Sequence, residues 1–474
     1  MSQGRVRLSD IETEFSKYFL VGDKGAIPLL MATFIANRLS TSDKPIWLLL
    51  VAESSGGKTE YFNIFDKLAE PPYELSYHID DLTPNTFLSG MQQSKQSKRQ
   101  GEEVSLLFKL TDKMVFINDF TVLLTKSKEA KKEILGQLRT IYDGSFNKET
   151  GLGKSLKWNG RIGVMAALTP DGIDLMASES GMGERFIAYH MVQPDEKELG
   201  DLLKSNYNKD TNAQKLKVQK MVAEYVNFYV QKAENSDGNF QIEDEVLDNL
   251  NLVAQFATRA RSFVRIDFRN REATAKPNIE KFPRFVKQLQ GIAKGFCIQN
   301  DSNKLTEEQK KILYKVALNT VPKERRQLLT IMARYRTVGT AAVSSQLGLP
   351  STIVGGLLSQ LTALGLVARI PAGGKGNENG WKLMPKTAVM MKNFEGIKQE
   401  DMDLIDEDDA VVEDEDDKVV AEMIEDTTRI KKDARVKEFM GQGMTYEEAE
   451  AQYSFEQQND QDAEDMFNSL PEAK

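Results

Sequence analysis

Residues 46–59 read IWLLLVA followed by Glu53-Ser54-Ser55-Gly56-Gly57-Lys58-Thr59. The unbroken apolar run, bounded by Pro45 and a glycine-rich turn, predicts a strand buried on both faces, as in a parallel sheet. Residues 58–69 then show helical spacing, with Phe62, Phe65 and Leu68 on one side. Strand, glycine turn and helix in direct succession place backbone N–H groups at a helix start, where an anion is welcome. Gly56 and Gly57 let the loop curl, and Ser54 and Ser55 add amides to it. Lys58 suits the β and γ oxygens of a triphosphate, and the Thr59 hydroxyl suits Mg²⁺. The phosphate-loop pattern asks for Gly, four residues, then Gly-Lys-Ser/Thr. Ala52 replaces the first glycine.

Outward from this stretch, short apolar runs predict strands at residues 114–118, 162–168 and 185–192, and residues 73–78 suit a further strand. A helical pattern at residues 131–142 lies between two of them. Strands alternating with helices imply an α/β domain with a parallel sheet covered on both faces. Residues 199–319 change character, with apolar residues three and four apart, as in Val218, Met221, Val222, Tyr225, Val226 and Tyr229. They predict a helical subdomain. Residues 323–386 predict helices at 325–335, 341–347 and 351–364, then short strands at 366–370 and 381–384. Three helices and a two-stranded wing make a winged helix-turn-helix. The domain reading is 1–198, 199–322, 323–390, and a tail from 391 to 474.

The 474 residues are 40% hydrophobic and 28% charged, ordinary for a globular chain with real cores. Cys297 is the only cysteine, which excludes an internal disulfide and a multi-cysteine metal site. His78 and His190 are the only histidines, so no histidine-based zinc centre is expected. The net charge of −9 hides segregation, because Asp and Glu dominate residues 399–417. That run is expected to be solvated and disordered. It either mimics nucleic acid, recruits a basic partner such as another replication protein, or simply keeps the tail soluble. The start MSQGRVRLSD lacks a signal-peptide core, and no apolar run reaches the roughly 18 residues of a membrane helix. A cytoplasmic protein with no membrane partner is expected.

The strand at residues 114–118 ends in Asn118-Asp119. An acid there stands beside Mg²⁺ in nucleotide-binding sheets. Asp119 holds the metal shell in one register. In the other it activates water, and Asn118 takes the metal side. A strand-ending turn cap is the plain structural alternative. Thr169-Pro170 follows the next strand, where a polar residue between the two nucleotide motifs orients an attacking water. Thr-Pro is also simply a turn.

The order of these features resembles AAA+ ATPases, and within them minichromosome-maintenance-like replicative helicases. Ala166-Ala167-Leu168-Thr169-Pro170 is similar to the family's Ala-Ala-x-Asn-Pro sensor segment, with Thr169 for Asn. Glu184-Arg185-Phe186 is similar to the Ser-Arg-Phe segment that carries the arginine finger. Arg284, in FPRFVKQLQGIAKGF, falls where the second sensor arginine lies on a lid helix. The segment from QLRTIYDGSF to GRIGVMAALTP also looks like ATPases of phages and mobile elements, which implies a bacterial host cytoplasm. The resemblance covers roughly residues 20–385 in motif order. It implies ATP and Mg²⁺ as cofactors and a homo-oligomeric ring, commonly a hexamer, with Arg185 reaching a neighbour's γ-phosphate. The plain alternative has Arg185 opening an edge strand and pairing with Glu184 or Asp195.

The resemblance also places a pore-lining hairpin at residues 143–161. Lys148, Lys154, Lys157, Trp158 and Arg161 there suit phosphates and a stacked base, or form only a solvated hairpin. Lys95, Lys98 and Arg99 make a second basic loop. In the winged helix, Ser351, Thr352, Ser359, Gln360, Arg369 and Lys375 are the candidates, with Arg325, Arg326, Arg334 and Arg336 nearby. Winged helices also bind proteins. Three readings follow: a replicative DNA helicase, an initiator or helicase loader that assembles on DNA with ATP, and a DNA-binding regulator that uses ATP without motor activity.

Overall fold

A computed structural model describes residues 5–39, 44–54, 56–87, 105–149, 155–177, 185–207, 209–236, 241–267, 273–274, 276–370, 380–392 and 394. The loop at 92–100, Ser55, Lys154, Glu184, Lys375 and the acidic run lie outside these residues.

The chain begins with α1 (Leu8–Phe15) and α2 (Ala26–Ala36), then β1 (Trp47–Val51) and α3 (Lys58–Asn63). A 3₁₀ turn (Asp66–Ala69) leads to β2 (Ser76–Ile79), α4 (Leu106–Leu110) and β3 (Met114–Ile117). Next come α5 (Thr121–Leu124), α6 (Lys128–Tyr142), the hairpin β4 (Ser145–Glu149) and β5 (Ser155–Asn159), and β6 (Gly163–Leu168). The sheet region ends with α7 (Pro170–Ala177) and β7 (Phe186–His190). The single helix expected over residues 58–69 therefore breaks after Asn63. Phe62, Phe65 and Leu68 repeat every three residues, which suits a turn of three residues rather than 3.6.

Five parallel strands form the central sheet in the order β2-β3-β6-β1-β7. Every residue of β1 is buried. Trp47, Leu49 and Val51 face one core with α4, α5 and α6, while Leu48 and Leu50 face another with α2 and α3. The alternation follows from successive side chains pointing to opposite faces of a strand. Across the C-terminal edge, Ala52 N–H donates to Leu168 O at 3.2 Å and Phe120 N–H to Ala167 O at 2.8 Å. The ends of β1, β6 and β3 are thereby level.

Next come five helices: α8 (Glu196–Asn206), α9 (Thr211–Asn235), α10 (Asp244–Arg261), α11 (Pro283–Asn300) and α12 (Glu307–Asn319). Helix α11 packs on α2 at close range. A Cβ on Gly295 would stand 2.2 Å from Ala32 O, so only glycine permits the approach. The chain continues with α13 (Lys323–Ala333), β8 (Val338–Gly339), α14 (Thr340–Leu347), α15 (Ser351–Ala363), β9 (Val367–Ile370), β10 (Gly380–Leu383) and α16 (Pro385–Lys392). Strands β8, β10 and β9 pair antiparallel. The first of these and α16 had no expectation in sequence. Arg325 secures α13 to α10. Its Nη1 donates to Ala260 O at 2.7 Å and Ser262 O at 2.8 Å, and its Nη2 to Gln360 Oε1 at 2.7 Å.

Candidate nucleotide site

The turn after β1 is built as a cradle. Gly57 has φ +76°, in the left-handed region, and N-caps α3. A Cβ there would lie 2.3 Å from Phe19 Cζ, so a side chain is excluded by both dihedral and space. Phe19 is fixed in turn between Phe15 and Tyr61, with ring centroids 4.9 and 5.4 Å away. Lys58 Nζ donates to Ala52 O at 2.6 Å and Glu53 O at 2.7 Å, which folds its ammonium over the loop. Burial pushes Lys58 below the ordinary lysine range, while the Asp119 and Glu53 carboxylates push it back up. The charge of Asp119, just past β3, thus reaches Lys58 at the start of α3. Ser54 and Thr59 are exposed at the same turn.

Strand β6 lies between β1 and β3, so Thr169 stands between Lys58 and Asp119. Asp119 Oδ1 accepts the Thr121 N–H at 2.9 Å, and Thr121 Oγ1 lies 3.4 Å from Thr169 Oγ1. Thr169 also caps α7, accepting the Gly172 N–H at 3.3 Å. Asn118 shares the α3 side of β3 with Phe116, whose ring packs 5.3 Å from Phe62. Its Nδ2 donates to Asp80 Oδ1 at 3.2 Å, and its Oδ1 is buried without a hydrogen-bond partner. Thr59 hydroxyl, Asp119 carboxylate and Asn118 amide oxygen make an all-oxygen donor set. A hard cation such as Mg²⁺ takes such donors, usually with waters retained, and the orphaned Asn118 oxygen is an acceptor for that shell. These residues fit the metal.

Arg185 and Arg284 lie elsewhere. Phe186 pairs with Trp47, so Arg185 sits at the N-terminal edge of the sheet. The P-loop leaves the other end of β1, about 17 Å away for five residues at about 3.3 Å each. Arg185 is buried, and its Nη2 lies 3.1 Å from Asp143 Oδ2. Its guanidinium carbon is 5.6 Å from the Tyr142 ring centroid. Asp143 is thus an acidic partner that sequence did not anticipate; Asp195 instead caps α8, accepting from Lys197 and Glu198 N–H. Arg284 opens α11 close enough to Tyr142 for both arginine charges to act on the phenol. The sequence-expected Arg185 and Arg284 therefore come together, apart from Lys58, Asp119 and Thr169.

The nucleic-acid expectations need correction at several side chains. Phe146 pairs with Trp158 across β4–β5, and both rings are buried. Trp158 Nε1 donates to Thr111 Oγ1 at 2.9 Å, so the ring is a core residue and not a stacking platform. Arg161 donates to Leu39 O at 2.6 Å and Ala36 O at 3.3 Å, closing the end of α2. Burial pushes its guanidinium down to about 10. It is not a phosphate contact. Arg325 and Arg326 are buried too. Lys148 pairs with Glu133 at 3.1 Å, whereas Lys157 is exposed on the outer face of the hairpin. Arg334, Arg336, Arg369, Ser351 and Thr352 are exposed.

Two further features escaped the sequence. Asp80, just past the end of β2, stands beside Asn118. Asp23 is buried and accepts from Gly25 N–H at 2.9 Å, Tyr189 OH at 2.7 Å, Val192 N–H at 3.0 Å and Lys315 Nζ at 2.5 Å. This cluster fastens α12 and β7 to the segment before α2. Its partners lie up to 292 residues apart, so no local pattern announces it.

The sheet, the glycine turn and the acid-ended strand are consistent with a P-loop nucleotide-binding fold. No family model matches the chain, and no curated protein matches it. Among solved structures it is similar to a full-length MCM homolog from Methanopyrus kandleri, at 12% identity and a TM-score of 0.40, over 67% of this chain. The chain spans 60% of the length of that homolog.

Proposed function

We propose that this chain is a ring-forming, ATP-hydrolysing protein of DNA replication that acts as a replicative DNA helicase. The observation that carries the reading is the meeting of Lys58, Asp119 and Thr169 at one edge of a parallel sheet. The Gly57 amide and the Lys58 ammonium hold the triphosphate, and Thr59 with Asn118 and Asp119 receives the metal. When bound, Mg²⁺ neutralises charge on the phosphate oxygens. Thr169 orients the attacking water, and its hydroxyl is linked through Thr121 to Asp119. AAA+ organisation agrees with the placement of Arg185 and Arg284. Neither is positioned for its own P-loop, a strand length away, and the reading assigns both to a neighbour's γ-phosphate in a ring. The helices at 199–322 then form the lid. The unit at 323–390 is a winged helix that meets DNA through Arg334, Arg336 and Arg369, with Lys157 on the hairpin.

The test is a fuelled strand-displacement assay run beside DNA-stimulated ATP hydrolysis. The helicase reading expects both, and Arg185→Ala should keep nucleotide binding while losing turnover. Hydrolysis with no strand separation would reject it. Asn118 in place of an acid favours one second reading, an initiator or helicase loader, which expects slow hydrolysis and ATP-dependent assembly on DNA.

A further inference from the structure

We propose that Asp80 is a positioning residue that sets the metal dependence of nucleotide binding through Asn118; the inference rests on the nucleotide site proposed above. Asp80 directly follows β2 and Asn118 directly follows β3. The two strands are paired in register, with Ile79 opposite Ile117, so the residues stand level at the sheet edge. Asn118 Nδ2 lies 3.2 Å from Asp80 Oδ1.

A carboxylate oxygen only accepts, so Asp80 fixes which end of the amide faces it. The Asn118 NH₂ is committed to Asp80, and Oδ1 is committed to the opposite direction. That oxygen is buried and has no hydrogen-bond partner. A buried acceptor left unmet is costly, so this oxygen is available to a ligand that reaches it. Asn118 lies on the sheet face that carries α3, and Thr59 opens that helix. The oxygen therefore belongs to the group of acceptors that a hydrated divalent cation meets beside the P-loop.

The arrangement also accounts for Asn at this place. The amide supplies the oxygen, and the negative charge stands behind it on Asp80. Partners behind a metal's immediate contacts fix orientation and raise the donor strength of the group they hold. With Asp80→Asn, either end of the neighbouring amide can face Asn118, and the orientation is lost.

The experiment titrates Mg²⁺ into wild-type protein and variants holding a fluorescent ATP analogue, and reads affinity rather than turnover. Asp80→Asn should raise the Mg²⁺ concentration for half-maximal tightening by about 10–100-fold. Affinity measured in EDTA should not change. Asp80 is exposed, so the variant keeps its fold, which its unfolding midpoint verifies. The exchange variant, Asp80→Asn with Asn118→Asp, keeps the amide–carboxylate hydrogen bond and should return the midpoint toward wild type. An Asp80→Asn variant with unaltered Mg²⁺ dependence, or one weakened equally with and without Mg²⁺, overturns the inference. An exchange variant no better than Asp80→Asn overturns it as well. Wild-type protein that binds no nucleotide sinks the nucleotide site itself, a result distinct from these.

Discussion

Replacing Gly57 by alanine separates two strains that the structure stacks at one atom. The first is the backbone. An L-residue in the left-handed region costs roughly 1–2 kcal/mol, and Gly57 sits there at φ +76°. The second is space. The new Cβ would stand 2.3 Å from Phe19 Cζ and 2.7 Å from Cε2, well inside normal carbon contact. Overpacking of that kind costs about 1–3 kcal/mol, and Phe19 has little room because Phe15 and Tyr61 flank it. Gly57→Ala should therefore destabilise the chain by about 2–5 kcal/mol in urea unfolding, and weaken nucleotide binding because the loop amides move. Phe19→Ala in the same chain removes only the spatial part. The double variant should be more stable than the sum of the singles predicts, by about 1–3 kcal/mol. If Gly57→Ala unfolds with the wild-type midpoint, the loop geometry is wrong. If the two substitutions simply add, Phe19 does not cover the glycine.

Other perturbations have equally definite outcomes. Lys315→Met leaves the buried Asp23 carboxylate without its cation, and urea unfolding should show a loss of about 3–5 kcal/mol. Arg325→Ala strands the Ala260 and Ser262 carbonyls, at about 1–3 kcal/mol each; limited proteolysis should then cut between α10 and α13. Burial, then Arg326, Lys315 and Lys323, pushes the His190 imidazole from 6.5 down to about 3. The folded chain binds fewer protons than the unfolded chain between those values. Stability should fall as pH drops through the window, by at most about 1.4 kcal/mol per pH unit, and His190→Gln should flatten that limb. Lys157→Ala should weaken DNA binding with a shallower salt slope, while Trp158→Ala should instead lower stability by about 3–5 kcal/mol.

Strands β1, β3 and β6 were legible because they are short apolar runs between turns, a pattern that needs no partner to be recognised. Boundaries moved where local chemistry intervened. The strand expected from residue 73 begins at Ser76, because Glu74 takes a positive φ of 48°. Helix α2 had no amphipathic signal, since nearly every residue of AIPLLMATFIA is buried. The hairpin was read too generously. Period-2 alternation puts Phe146 and Trp158 on one face and Lys157 on the other, so the aromatic and that lysine cannot serve one ligand together. Of the site, the glycine turn, Lys58 and the acid-ended strand were visible as contiguous motifs. Asp143 beside Arg185, Asp80 beside Asn118, and the carbonyls that hold Arg161 were not. Each depends on chain segments brought together only by folding.

The account stands on the turn after β1 holding a triphosphate, and equilibrium binding of labelled ATP with Mg²⁺ tests that most directly. Wild-type protein should bind. Lys58→Ala should bind about 10–100-fold more weakly, the equivalent of about 1.5–3 kcal/mol for hydrogen bonds to a charged group. Wild-type protein that retains no nucleotide, or Lys58→Ala that binds as tightly as wild type, would contradict it.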